Sequence, residues 1–351
     1  MLRGACSAIN AGTGREWSSH ILAIARRALI RVMRVAVMGS GGLGGYFGAL
    51  LARGGTDVSF IARGAHLETM RRDGLRIHGG PDPFHLDQVR VTDDPGEIGP
   101  VDLVMVCVKL WDTEAALQQL RPLVGPETML VSFQNGVLKD SYVRAVYDES
   151  QLIGGVAYVA TTVSEPGVIT RTGPLQRLIV GEFDGKRSDR VEAFRTAALA
   201  GGIDAEVSDD IRRAIWEKFV FLVGLSATTA TTRVPIGPIR ENPQSRALLL
   251  DLMREVVAVG RAHGVPLPED YAEQRLEFAD GVSAEMTSSM YHDLERGSRL
   301  EVRWLSGGVV ELGQRVAVNT PLNRAVADIL SVHANGRSDH RSSAEAEHTK
   351  S

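Results

Sequence analysis

The chain has 351 residues, 44% of them hydrophobic and 23% charged, a size and composition suited to two globular domains with separate cores. Its net charge of −4 leaves no basic footprint for nucleic acid, and no apolar run reaches the roughly 18 residues that cross a bilayer. The histidines show no zinc-ligand spacing, so no metal is expected, and Cys6 and Cys107 are too few and too far apart for a disulfide framework, which favours a reducing, cytoplasmic compartment.

Residues 1–32 stand apart as an extension, with five arginines (Arg3, Arg15, Arg26, Arg27, Arg31) and a single acid, Glu16. They read either as an Arg-rich transit-like segment or as residues upstream of a start at Met33; the strand that follows at once favours the second. Residues 33–208 then alternate strands and helices. Arg34–Met38 (RVAVM) is a strand, a glycine-rich turn leads into a helix through Leu50 and Leu51, and Asp57–Ile61 is a second strand. Asp102–Val108 (DLVMVCV) is a third, wholly apolar strand, followed by a helix over Asp112–Leu120 and a strand over Thr128–Phe133. Such alternation implies parallel strands joined by right-handed crossovers, a Rossmann-type doubly wound α/β sheet. Residues 151–182 are β-rich and broken at Glu165-Pro166-Gly167 and Thr172-Gly173-Pro174, so the last strands should be hairpin-like.

Residues 209–332 read as an all-α domain. Asp209 and Asp210 are N-cap residues for a helix through Trp216, Lys218 and Phe219. Leu248–His263 is a helix stopped by Gly264 and Pro266, and 269–279, 283–295 and 301–317 continue the helical pattern. Residues 333–351 are polar and poor in large apolar side chains, which predicts a disordered tail.

Gly39-Ser40-Gly41-Gly42-Leu43-Gly44 fits G-x-G-x-x-G between a strand and a helix, the context that makes it a dinucleotide-binding turn. Gly39 permits the tight turn, Gly41 lets backbone approach a pyrophosphate, Gly44 allows close helix packing, and the helix N-terminus offers N–H groups to phosphate. A site for NAD would place an acid at the end of the second strand. This chain reads Phe60-Ile61-Ala62-Arg63, and a guanidinium suits the 2′-phosphate of NADPH. Arg63 taken alone also reads as an ordinary exposed loop arginine. Lys109 and Gln134-Asn135-Gly136 end the next two strands, where ligands sit in such sheets, though a lysine there also serves as a first solvated residue and Asn-Gly as a plain turn.

These pieces, with Trp216-Glu217-Lys218-Phe219, Ser288-Ser289-Met290, Asp293 and Glu301, resemble in order and spacing the ketopantoate reductases (2-dehydropantoate 2-reductases) from about Met33 to Leu330. The resemblance implies NADPH-dependent reduction of a 2-oxo acid to a 2-hydroxy acid, as in pantothenate and coenzyme A synthesis. It makes Lys218 the general acid, with Glu301 holding cofactor and substrate. It places Ser289 on the substrate carboxylate and Lys109 and Asn135 at the cofactor, with Asn135 bordering the substrate too. The chemistry agrees, since hydride addition builds charge on oxygen that an ammonium stabilises and protonates. Read from the residues alone, Lys218 is instead a snorkelling lysine paired with Glu217 or another acid, Glu301 a first-turn helix glutamate and Ser289 a packed serine. A homodimer through the helical domain is consistent with the sequence.

The chain departs from the family on the substrate side. Asparagines usual four and eight residues after the lysine are replaced by Leu222 and Ser226, and a third, before a glycine, by Ile236 ahead of Gly237. Positions 218, 222 and 226 share one helix face. The leading expectation is therefore a ketopantoate-type reductase. The alternatives are a relative acting on a less polar 2-oxo acid or an imine, and a non-catalytic NADPH-binding sensor.

Overall fold

The computed structural model describes residues 32–337. Apart from Val32, the expected extension lies outside the described residues, as does the expected tail beyond Arg337. The first half runs β1 (Arg34–Met38), α1 (Gly42–Arg53), β2 (Asp57–Ile61), α2 (Gly64–Asp73), β3 (Leu75–His78), β4 (Phe84–Leu86), β5 (Arg90–Thr92), β6 (Leu103–Val106), α3 (Thr113–Gln119), β7 (Met129–Ser132) and α4 (Lys139–Arg144). The long strands β8 (Leu152–Glu165) and β9 (Val168–Gly181) follow, then α5 (Asp189–Ala200) and β10 (Asp204–Val207).

The strands pair in the order β4-β3-β9-β8-β7-β6-β1-β2-β5, with β10 beside β9. From β5 through β8 all neighbours are parallel, as the strand–helix alternation predicts. Alternate residues of the central strands feed two separate cores. Val35 and Val37 join Leu103 and Met105 on one face, while Ala36 and Met38 join Val104 and Val106 on the other. The chain leaves β1 towards β2 and returns to β6 on the opposite side, so the switch point that opens a crevice in such sheets lies between β1 and β6.

β8 and β9 form the expected antiparallel hairpin around Glu165-Pro166-Gly167. Thr172-Gly173-Pro174 does not break β9. Ala160 faces Thr172 and Val159 faces Gln176, so the intervening residues bulge out of a continuous strand, the one place a proline without an N–H is tolerated there. Strands β3 (LRIH) and β10 (DAEV) alternate in polarity but over four residues only, β4 and β5 are three residues each, and helices α2 and α5 are mixed in polarity, so none stands out in the sequence.

The helical half runs α6 (Ile211–Thr232), α7 (Ile236–Glu241), α8 (Pro243–Ala262), α9 (Tyr271–Gly281), α10 (Ser289–Glu295), α11 (Ser306–Arg315) and α12 (Pro321–Ser331). Asp210 caps α6 by accepting from the Arg213 N–H at 2.9 Å, whereas Asp209 pairs with Arg187. The helices expected over 283–295 and 301–317 are shorter than that. Ser288 caps α10, and residues 284 and 286 are spent accepting from the N–H groups of Gly237 and Ile236. Residues 301–305 form a turn closed by the Trp304 and Leu305 N–H groups on the Glu301 carbonyl. The expected tail is also ordered over its first residues. The Leu300 N–H donates to Ala334 and the Arg337 N–H to Gly297, which ties this stretch to the turn after α10.

The start of α6 lies directly on the sheet. A Cβ at Gly154 would come within 2.6 Å of Ile211, so the missing side chain there is what lets the helix approach β8. Two turns later that approach carries Lys218 to the edge of β8.

Candidate active site

The glycine turn opens at the carboxyl end of β1. Gly39 has φ of +96°, and a Cβ there would meet Val108 at 2.8 Å, so only glycine fits. A Cβ on Gly44 would fall 2.3 Å from the Gly39 carbonyl, which makes this glycine the closure between α1 and the turn. Gly41 is different, because a Cβ there would meet nothing within 4 Å. Space lies open above it, at a helix N-terminus that no side chain caps, whereas a Cβ on Gly42 would meet the Thr161 carbonyl of β8 at 2.7 Å. The free N–H groups of such a helix start suit an anionic group such as a pyrophosphate. Ser40 faces the protein instead: its hydroxyl donates to the Ile61 carbonyl at 3.0 Å and is 2% exposed. Arg63 follows β2, level with the turn because Met38 pairs with Ile61. Its side chain is 86% exposed and bonded to Asp112 at 3.0 Å, free of any core constraint.

Lys218 sits where three segments meet. Its Nζ donates to Asn135 Oδ1 at 2.9 Å and to the Ala157 carbonyl at 2.8 Å, and stands 5.7 Å from the Tyr158 ring centroid. The ammonium has three hydrogens, so one remains for a ligand. Glu217 is bonded to Arg213 at 2.8 Å, and no carboxylate forms an ion pair with Lys218 among the described residues. Pairing with Glu217 or another acid is therefore not what holds Lys218; its partners are an amide oxygen and a backbone carbonyl. Burial, and next the Lys139 ammonium, lower the Lys218 pKa to about 8 against the opposing pull of Glu301.

Glu301 lies five residues ahead of α11, buried, in the turn and not in a first helical turn. One oxygen accepts from the Leu110 N–H at 3.2 Å and the other stands 3.9 Å from Lys109 Nζ. Lys109 also bonds Asp293 of α10 at 2.9 Å. Burial disfavours the Lys109 charge, but Glu301 and Asp293 outweigh it and hold the pKa above the ordinary lysine value. The Lys109 side chain thus ties the switch point of the sheet to the helical half. Ser289 is exposed and lies one helical turn before Asp293 on the same face of α10, while its neighbour Ser288 is buried as the cap.

Lys218 and Leu222 line one cavity with Gln134, Lys139, Val156 and Phe219. Ser226 does not join them. It is fully buried in the helical half, its hydroxyl without a hydrogen-bond partner among the described residues. Ile236 is likewise core, 0% exposed. Of the three departures from the family pattern, only Leu222 therefore borders the cavity. Sequence reasoning missed Lys139 and Asp140, both buried, whose one signal was a charged pair two residues beyond Gln134-Asn135-Gly136. Cys107 packs beneath Gly44, and burial pushes its thiol pKa up, against a reactive thiolate. Among the described residues no His, Cys, Asp and Glu cluster could hold a metal ion, and no helix is long and apolar enough to cross a membrane.

Two family models match the chain: ketopantoate reductase PanE/ApbA over residues 35–185 and ketopantoate reductase PanE/ApbA C terminal over 210–334. The 2-dehydropantoate 2-reductase of Mesorhizobium japonicum is 34% identical, with 85% of this chain and 97% of that protein covered. The one from Halobacterium salinarum is 33% identical, with coverage of 85% and 98%. A crystal structure of 2-dehydropantoate 2-reductase from Geobacter metallireducens superposes with a TM-score of 0.80 at 32% identity, covering 86% of this chain and 99% of that one. With the glycine turn at the sheet's switch point and a lysine seated between its two halves, the chain belongs to the ketopantoate reductase family.

Proposed function

We propose that this chain is an NADPH-dependent reductase of a short 2-oxo acid, ketopantoate or a less polar analogue, with Lys218 as general acid. The observation that carries the reading is the Lys218 ammonium itself. Two of its hydrogens are fixed on Asn135 and Ala157, a third is free, and a pKa near 8 leaves it protonated yet willing to give up a proton at neutral pH. Bound reduced nicotinamide would supply the hydride. Gly39, Gly41, Gly42, Leu43 and Gly44 would hold the pyrophosphate on their backbone, and Lys109 and Asn135 would border the nicotinamide end. Lys218 steadies the developing alkoxide and then protonates it, becoming a neutral amine. Glu301 braces the Leu110 backbone and Lys109 and so fixes the floor of the crevice. The exposed Ser289 hydroxyl is available to the substrate carboxylate.

Leu222 favours the less polar substrate. A leucine on the cavity wall cannot accept or donate to the hydroxyl of ketopantoate. The test is NADPH oxidation with ketopantoate, its deoxy analogue and a panel of 2-oxo acids. Cofactor binding with no turnover of any acid would refute the reading and leave a binding protein.

Two outcomes follow for the cofactor and the acid. Arg63→Ala should weaken NADPH by about five- to tenfold, the discounted worth of an exposed charge-assisted contact, and leave NADH unchanged in a fluorescence titration. Equal loss for both cofactors would mean that Arg63 does not read the 2′-phosphate. Since reduction needs the protonated lysine, kcat should be level below pH about 8 and fall about tenfold per unit above it. A profile flat to pH 10 would exclude Lys218 as the donor.

A further inference from the structure

Two lysines reach the cavity, and the chemistry above uses only one. Lys139 opens α4 directly after the β7 loop, with 2% of its side chain exposed. Its Nζ donates to the Ser132 carbonyl at the end of β7, 2.8 Å away, and to Asp140 Oδ1 at 2.9 Å. Asp140 is itself buried. A buried ion pair is an expensive way to hold a loop, and apolar side chains of similar volume would do it as well or better. Lys139, though not Asp140, lines the cavity that Lys218 also lines.

The surroundings of Lys218 contain few other charges. The β7 loop presents Asn135 and the start of α4 the Lys139–Asp140 pair; β8 presents the Ala157 carbonyl and the Tyr158 ring. On its own helix Glu217 is engaged by Arg213, and from the turn before α11 comes Glu301. Among these, Lys139 is the cation whose field opposes a second positive charge at Lys218, and Glu301 is the acid that favours it.

We propose that Lys139, seated by Asp140 at the wall of the active-site cavity, is a positioning residue for proton transfer, its ammonium making Lys218 a readier acid towards the substrate oxygen. Like charges sharing a low-dielectric site disfavour one another's charged form, so the proton on Lys218 is held less tightly than burial alone would hold it. The proton moves from Lys218 to the alkoxide; Lys139 keeps its own, its Nζ engaged by the Ser132 carbonyl and Asp140. This rests on the reading of Lys218 as the proton donor.

The test compares Lys139→Gln and Lys139→Arg with the unmodified protein. Removing the charge should move the alkaline limb of the kcat profile upward by roughly one pH unit, and the arginine, always charged, should return it to its original place. A second readout needs no turnover: the pH dependence of Lys218 acetylation by acetic anhydride, read by peptide mass spectrometry, should shift in the same order. Should Lys139→Gln fail to fold, Lys139→Gln with Asp140→Asn leaves no buried charge unpaired and should shift both readouts in the same direction by less. A limb and an acetylation midpoint unmoved in the glutamine variant would overturn the proposal, as would an arginine variant that behaves like the glutamine one. If the unmodified protein reduces no 2-oxo acid, the functional reading fails, and the acetylation midpoints alone decide what Lys139 does to its neighbour.

Discussion

Lys218→Met should lower kcat for 2-oxo acid reduction by about 10²–10⁴-fold, the usual worth of a positioned general acid, while NADPH still binds. The substitution keeps an unbranched apolar side chain, one atom shorter than that of lysine. It removes the ammonium that donates to Asn135 and Ala157, so these acceptors lose a partner, at a cost of about 1–3 kcal/mol in stability where buried. Circular dichroism and NADPH titration would confirm a folded, binding-competent protein before kinetics are read. The loss should fall on kcat and kcat/KM alike, because the charge on oxygen develops only in the transition state. An increase in KM alone would make Lys218 a substrate anchor and not the acid. Turnover at the original rate would remove it from the chemistry.

Leu222→Asn should reverse the substrate preference. Leu222 lies one helical turn after Lys218 and shares its cavity, so an amide at that position can meet the hydroxyl that separates ketopantoate from its deoxy analogue. One buried hydrogen bond of about 1–3 kcal/mol corresponds to roughly 5–150-fold in kcat/KM. The expected result is a gain of that order in the ratio of ketopantoate to deoxy analogue, most of it from ketopantoate itself. The same substitution at position 226 would bury an oversized amide in the helical core and should damage folding before it altered specificity. A ratio unchanged in a folded Leu222→Asn protein would show that the substrate's hydroxyl points elsewhere.

The sheet was legible wherever strands were long and wholly apolar. RVAVM, the Leu103–Val106 core of DLVMVCV and Met129–Ser132 are strands whose apolar residues are buried on both faces, as in parallel sheets covered on both sides, while Asp102, Cys107 and Val108 fall outside β6. The short strands β3 to β5 and β10 were not legible, since three or four residues cannot establish a period and their pairing with distant neighbours supplies most of their order. The helical half was legible in kind but not in extent. Residues 283–288 and 301–305 have helical composition, yet their backbone groups are engaged in turns and by the start of α7.

By itself the sequence determined the glycine turn after Met33, the alternation that builds a parallel sheet, and a pattern of residues specific enough for the family. These are local properties: φ at Gly39, the closeness required at Gly44, the period of buried side chains. Only the tertiary structure decided what the helix face through Lys218 looks at. Positions 218, 222 and 226 are equivalent by helical spacing, but the sheet covers the first turns of α6 and the helical core covers the later ones. Leu222 thus borders the cavity and Ser226 does not. The same holds for Lys139, which reads in the chain as an ordinary loop lysine. It becomes an element of the site because β7 and α4 fold its charge inward, against the cavity that Lys218 enters from a helix 79 residues further on. Spacing along a chain specifies faces; the neighbours that occupy them are set by contacts between segments far apart in sequence.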